Sequence, residues 1–380
     1  MKKIEKTLLF NIFSCDSENK HNVIIFFNDY KKVYDLLKKK NIESKYFKFI
    51  NGIGARMNIN QIISLSKENV VEYITSASNV EALMDKARET ININALHSQN
   101  ILGQNRTLAI IDTGISPHID FLSYTNRIIF FKDFVNDREG FYDDNGHGTF
   151  ISGVAVGNGY ASGGKYQGIA PKANLVMLKA LDKNGEANAF NILSGMEWIY
   201  DNFKEYNIDA VCMSFGSNPL DKDDPLVIGA NALVKSGITV ICAGGNSGPE
   251  PRTIKSPGVS NKVITVGGVN DREEDLIVPE FSSRGPAYSF FKPDILAPAV
   301  DIISTNYRDL EEVPYTTMSG TSVATPIVAG TVILLKQLKP DLTPIRIKNI
   351  ITSNTLLLPS AIGGGRNKQG YGMLKIKKTF

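Results

Sequence analysis

With 380 residues, 42% of them apolar and 21% charged, the chain can bury one large core and a smaller second one, within the composition range of globular proteins. A net charge of +3, dispersed along the sequence, argues against a nucleic-acid partner. No apolar run approaches the roughly 20 residues needed to span a bilayer.

Lys2 and Lys3 precede an apolar stretch from Thr7 to Phe13, and Ile12-Phe13-Ser14-Cys15 is loosely like a lipoprotein cleavage site. The stretch is short, carries Asn11 and follows Glu5 and Lys6, which puts it at the lower limit of an export signal. Cys15, Cys212 and Cys242 have no metal-ligand spacing, and the last two lie in strand-like runs, the setting of buried free thiols in a reducing compartment. A cytoplasmic protein is the leading expectation, with export to the cell envelope or beyond as the alternative.

Residues 1–21 read as an N-terminal extension and 22–76 as a small domain. Val23 to Phe27 is a short apolar strand, and Asp29 caps a helix from Tyr30 to Lys40 that puts Val33, Leu36 and Leu37 on one face. Lys45 to Ile50 alternates as a strand does, Asn51-Gly52 is a hairpin-type turn, and Ala55 to Asn58 pairs back. A helix over Ile59 to Lys67 and a strand over Val70 to Ile74 complete a split β-α-β arrangement. Residues 77–89 read as a polar linker.

From residue 90 to 380 the pattern is that of a larger domain. Thr107 to Ile111, Leu175 to Ala180, Ala210 to Met213, Thr239 to Cys242 and Val263 to Val266 are short apolar strands. Helical stretches such as Asn188 to Phe203 and Pro225 to Lys235 separate them. This alternation predicts an α/β fold with a doubly wound parallel sheet, whose functional groups gather at the C-terminal ends of the strands.

Near the C-terminus, Gly320-Thr321-Ser322-Val323-Ala324-Thr325-Pro326 opens a run from Ile327 to Leu338 that is apolar on nearly every side, as a buried helix is. Ser322 then lies at a helix mouth, where free N–H groups favour developing negative charge, and Pro326 is expected in the first turn. A capping serine and a nucleophile fit this stretch alike. A nucleophile needs a base. Of His21, His97, His118 and His147, only His147 sits between glycines, Gly146 and Gly148. Asp112 ends an apolar strand, a place for a charge only if it is paired, while Asp133, Asp143 and Asp144 are looser candidates to orient the imidazole. Ala243-Gly244-Gly245-Asn246 follows a strand, and the Asn246 amide could donate to an oxyanion. Neither this stretch nor Gly157 to Gly164 has the spacing of a phosphate loop.

Asp112-Thr113-Gly114, His147-Gly148-Thr149 and Gly320-Thr321-Ser322-x-Ala-x-Pro326, in that chain order, resemble the three signatures of the subtilisin-like serine proteases (subtilases). The resemblance runs from about Ala95 to Gly372. Asp133-Phe134-Val135 and Tyr166-Gln167-Gly168-Ile169-Ala170-Pro171 are most similar to the intracellular AprX-type branch. It implies that Asp112 orients His147, that His147 acts as base and then acid, and that Ser322 attacks the carbonyl. Asn246 and the Ser322 N–H would form the oxyanion hole. Ser214-Phe215-Gly216 and Ala243-Gly244-Gly245 would hold extended substrate. The small domain resembles the inhibitory, ferredoxin-like propeptide of the family, an intramolecular inhibitor cut at a junction near residues 80–84, where Glu81 lies.

Against the family pattern, Phe150 replaces a histidine, Ala299 a glycine and Val323 a methionine. The glycine-rich stretch lacks the tight calcium loop, so no metal site and no required cofactor are expected, with calcium at most a structural ion. Lys255 precedes Ser256-Pro257-Gly258, which in the family lies under the S1 pocket for the residue before the cut bond. A lysine there suits an acidic P1 side chain, or it reaches solvent and leaves the pocket broad. The implied function is a self-processing serine endopeptidase acting on peptide or protein substrates. A dedicated leader-peptide protease of a lanthipeptide pathway and a catalytically silent binding scaffold are the alternatives.

Overall fold

The computed structural model describes residues 3–4, 20–76, 83–220, 223–272, 275–308, 313–359 and 364–377. The chain divides into two units, Met1–Glu81 and Ala82–Phe380. In the first, strands β1 (Lys20–Phe27), β2 (Ser44–Phe47), β3 (Gly52–Asn58) and β4 (Val71–Ser76) alternate with helices α1 (Tyr30–Lys39) and α2 (Ile59–Ser66). The sheet order is β2-β3-β1-β4, with every neighbouring pair antiparallel. Period-two alternation turns Val23, Ile25 and Phe27 inward against Val33 and Leu37 of α1 and Ile62 and Leu65 of α2. Asp29 caps α1, and Asn58 with Gln61 forms a reciprocal capping box on α2. The strand expected over Lys45 to Ile50 ends at Phe47. Lys48–Ile50 is a 3₁₀ turn closed by Asn51 at φ 49°, a left-handed conformation that asparagine tolerates.

The stretch 77–89 is not wholly a linker: a helix, α3, runs over Leu83–Thr90. Ala87 and Ile91 are fully buried in the large core, and their four-residue spacing is a helical stripe that the surrounding charges disguise. Glu81, the expected cleavage point, lies outside the described residues.

The second unit is built on β5 (Thr107–Asp112), every residue of which is buried. Further strands are β6 (Ile128–Asp133), β7 (Asn174–Lys179), β8 (Ile208–Met213), β9 (Thr239–Ala243), β10 (Ile264–Val269), β11 (Ile295–Pro298), β12 (Ile302–Thr305), β13 (Tyr315–Met318), β14 (Thr355–Leu356) and β15 (Met373–Leu374). The main sheet runs β14-β15-β11-β10-β9-β8-β5-β7-β6, parallel except for β14. β12 and β13 form a separate antiparallel pair. Alternate residues of β5 feed two cores. Leu108 and Ile110 join helices α4 (His147–Val156) and α7 (Thr321–Leu338), while Ala109 and Ile111 join α5 (Ala189–Asn202) and α6 (Pro225–Ser236). After β5 the chain adds β6 and β7 on one side and then β8 on the other, so the end of β5 is a topological switch point, where such sheets place their ligands.

Helix α7 is long and apolar enough to cross a membrane, but 83% of it is buried inside the protein, as a core helix is. Phe150 is a packing residue of α4 with no exposed surface. Ala299 fits without a left-handed φ, its N–H bonded to Val269 O and its carbonyl to Gly320 N–H. Removing the Phe150 ring should cost about 3–5 kcal/mol through lost burial and the cavity left behind. Phe150→Ala is therefore expected to lower the unfolding midpoint in urea without changing the slope, and a midpoint equal to wild type would contradict this packing.

Candidate active site

Asp112, last residue of β5, is completely buried. Its Oδ1 accepts the Thr113 N–H and the His147 Nδ1–H, each at 2.7 Å. Donation from Nδ1 to a carboxylate fixes the tautomer and leaves Nε2 as the basic nitrogen. His147 begins α4 and is half-buried. Its two glycines are there for different reasons. Gly146 has φ 106°, and a Cβ on it would stand 2.2 Å from the Tyr307 ring; a Cβ on Gly148 would stand 2.2 Å from Gly114 O. Burial works against the imidazolium, but the charge and hydrogen bond of Asp112, helped by the charge of Asp143, outweigh it and raise the His147 pKa above its ordinary value.

Ser322 lies in the first turn of α7, whereas Pro326 lies one turn on, inside the helix rather than in its first turn. Proline has no N–H to give the carbonyl four residues back. That carbonyl is Ser322 O, and the Ser214 hydroxyl donates to it at 2.9 Å. Ile111 of β5 pairs with Met213 of β8, so the next residues, Asp112 and Ser214, stand beside each other at the C-terminal edge of the sheet. Asn246 follows β9, and its Oδ1 accepts both the N–H and the hydroxyl of Thr321 at 2.9 Å. The other end of the amide thereby turns toward Ser322. A Cβ placed on Gly320, whose φ is 150°, would stand 3.1 Å from Asn246 Nδ2 and 3.2 Å from Ser322 Oγ. Amide and hydroxyl border one small space that only glycine leaves open. Among the described residues, the Ser322 hydroxyl has no hydrogen-bond partner, His147 included.

The looser carboxylates are engaged elsewhere. Asp133 accepts the Tyr142 hydroxyl and the N–H groups of Val135, Asn136 and Arg138. Asp144 pairs with buried Lys179 at 2.6 Å, and Asp143 serves the turn before His147. The imidazoles of His97 and His118 reach the carbonyls of Ile169 and Pro314.

Phe215 packs on the core beneath α5 and α6, leaving Ser214 and Gly216 on either side. Gly244 donates to Val266 O and accepts from Lys255 N–H. Ser217 and Ser256 exchange two backbone hydrogen bonds, at 3.1 and 2.9 Å. Between these segments runs the Lys255 stem, whose Cβ stands 2.5 Å from where a Gly216 Cβ would be and whose Cγ stands 2.5 Å from that of Gly245. Its ammonium donates to Asn218 Oδ1 at 2.5 Å.

Residues 103–372 match the model of the subtilase family (Peptidase_S8). The chain belongs to the subtilase family. It is 40% identical over 344 residues to serine protease AprX of Bacillus subtilis, covering 84% of this chain and 77% of that protein. It is 28% identical to subtilisin E of the same organism, over 95% of this chain and 93% of that one. A solved cold-adapted subtilisin-like serine proteinase superposes with a TM-score of 0.60 at 27% identity, over 73% of this chain and 90% of the other. The protein is thus a subtilisin-like serine protease with the α/β fold of that family.

Sequence reasoning missed how this subtilase supports its site. Ser214 props the carbonyl that Pro326 frees, Thr321 orients Asn246, and Thr113 joins Asp143 to Gly148. The interior proline was the readable signal for the first; the threonines sat inside the motifs without an assigned task. The raised pKa has a measurable consequence. The His147 ring should keep its proton to a pH above 6.5, and Asp112→Asn should lower that midpoint. Titration of the ring C2–H resonance by NMR tests this, and an unchanged midpoint in the variant would contradict it.

Proposed function

We propose that this subtilase is an endopeptidase in which Asp112, His147 and Ser322 act as a catalytic triad. The observation that carries the reading is the 2.7 Å hydrogen bond from His147 Nδ1 to buried Asp112, which leaves Nε2 free to take a proton. His147 Nε2 removes the Ser322 Oγ proton as Oγ attacks the peptide carbonyl carbon, and Asp112 stabilises the imidazolium. The carbonyl oxygen, now anionic, accepts from Asn246 Nδ2–H and the Ser322 N–H, one of the donors a helix start leaves unpaired. The intermediate collapses as the imidazolium protonates the departing amine. Water, deprotonated by His147, then releases the acyl group from Ser322. All these groups come from the chain itself, and no cofactor enters the scheme. If it holds, a fluorophosphonate should label wild type and not Ser322→Ala, and Asn246→Ala should lower kcat by roughly 10²–10³. Labelling that survives Ser322→Ala would overturn the assignment.

Extended substrate would lie between Ser214-Phe215-Gly216 and Ala243-Gly244-Gly245, pairing by backbone hydrogen bonds as an added strand. Lys255, between the two segments, would favour an acidic P1 side chain. Supporting this, its ammonium is held by the neutral Asn218 amide, and among the described residues it has no carboxylate partner. Such selectivity suits a dedicated maturation protease, including one that removes leader peptides. The N-terminal unit has its own core, and similarity to subtilisin E covers 95% of the chain; both fit an inhibitory propeptide released by cleavage after Glu81. Cys212 and Cys242, buried and unoxidised on neighbouring strands, fit a cytoplasmic site of action. A peptide library should show glutamate or aspartate favoured at P1 and the preference lost in Lys255→Ala, and N-terminal sequencing of the matured enzyme should begin at Ala82. An apolar P1 preference with a cut elsewhere would remove the acidic-pocket reading and leave the triad untouched.

A further inference from the structure

Asp143 lies in the turn before His147 and is 8% exposed. Its Oδ1 accepts the Thr113 hydroxyl at 2.9 Å, the Asn145 N–H at 3.1 Å and the Gly146 N–H at 2.8 Å. Its Oδ2 accepts the Thr149 N–H at 2.9 Å and the Thr149 hydroxyl at 2.7 Å. The Thr113 oxygen in turn accepts the Gly148 N–H at 2.8 Å, and the Thr149 oxygen accepts the Ser116 N–H at 2.9 Å. One carboxylate therefore grips the residue after Asp112 and, directly or through Thr113, the residues on both sides of His147. An isolated backbone bridge between Gly114 and Asp143 closes the same junction.

We infer that Asp143 is a positioning residue for catalysis, a clip that holds the end of β5 and the start of α4 in the register at which Asp112 meets His147. Purely local turn stabilisation would use the N–H groups of residues 145, 146 and 149. The Thr113 bond is the part that turn stabilisation does not require, and it is the one that reaches the neighbouring segment. The charge points the same way. Lys179, the buried cation of this region, pairs with Asp144 and donates to the carbonyls of Thr113 and Leu181. Among the described residues Asp143 has no cationic partner, so its charge is left to act on the imidazole. Among the described residues, the charged groups around His147 are then Asp112 from β5, Asp143 and Asp144 from the turn, Lys179 paired with Asp144, and Arg308, which stacks on Tyr307 over Gly146.

The inference rests on the triad reading and is separable from it. Active sites are first counted by fluorophosphonate titration, so that rates refer to folded, competent enzyme. Asp143→Asn should then lower kcat by about 10–100-fold, the scale of a sub-ångström to ångström misplacement, with KM within about threefold. It should also move the acid limb of the kcat/KM profile to lower pH, because a negative charge near the imidazolium has gone. Thr113→Val should lower kcat per active site without moving that limb, and Thr113→Ser should restore it. A variant Asp143→Asn that is merely less heat-stable, with kcat per site and acid limb unchanged, would overturn the proposal. Should that variant not fold, an unchanged kcat in Thr113→Val overturns it instead. Wild type that resists labelling altogether would sink the triad itself, a different failure.

Discussion

A single carboxylate at the end of an otherwise apolar strand sets the terms for the large unit. Asp112 is buried completely, and an unpaired buried charge costs several kcal/mol. Two donors at 2.7 Å, the Thr113 N–H and the His147 ring, meet it on one oxygen, while Oδ2 has no partner among the described residues. The imidazole is therefore needed by the carboxylate as much as the carboxylate by the imidazole. Such a pair cannot drift without exposing the charge to an apolar surround, which makes it a strong specification of where the start of α4 must lie.

The rest of the site follows from how strands end and helices begin. Parallel strands stop in register at one edge, so Asp112 and Ser214 are neighbours because β5 and β8 are. A proline one turn into α7 removes a helical donor, and the carbonyl set free is that of Ser322, where the Ser214 hydroxyl takes the donor's place. The proline thus couples the serine's backbone to a strand instead of to its own helix. Orientation of Asn246 comes from Thr321, the residue before Ser322. Each group at the centre is held by one immediately next to another, so errors in placement are shared rather than accumulated.

The central residues of the site, unlike their supports, were legible in the sequence because they lie in short motifs at the ends of apolar runs. Strand endings, glycine flanks and a buried helix made Asp112, His147, Ser322 and Asn246 candidates, and the resemblance to the subtilases singled them out. The four strands of the first unit and β5, β7, β8, β9 and β10 of the second emerged from period-two alternation or continuous apolar runs, with errors of a few residues at their ends, whereas β6 and β11 to β15 did not. α3 did not emerge: its residues are mostly good helix formers, but among the described side chains the buried face reduces to Ala87 and the following Ile91 amid charged neighbours, too short a stripe to stand out. Nor did the tasks of Thr113, Thr149 and Ser214. A hydroxyl's partner is decided by which segments the fold brings within 3 Å, and nothing local encodes a bond between Thr113 and Asp143, thirty positions apart.

Lys255 illustrates the same limit. A lysine stem is long and flexible, and its head normally reaches water. Here the stem has room to run between the two segments because Gly216 and Gly245 have no side chains: a Cβ at either would stand 2.5 Å from it. The two glycines on the facing segments and the lysine between them act as one unit, since an alanine at either position would need the stem to move. Substituting Lys255 alone would open space as well as remove charge. Changing a flanking glycine alone would displace the charge and keep it. The position of the Lys255 charge depends on the fit among three residues drawn from three separate stretches of chain.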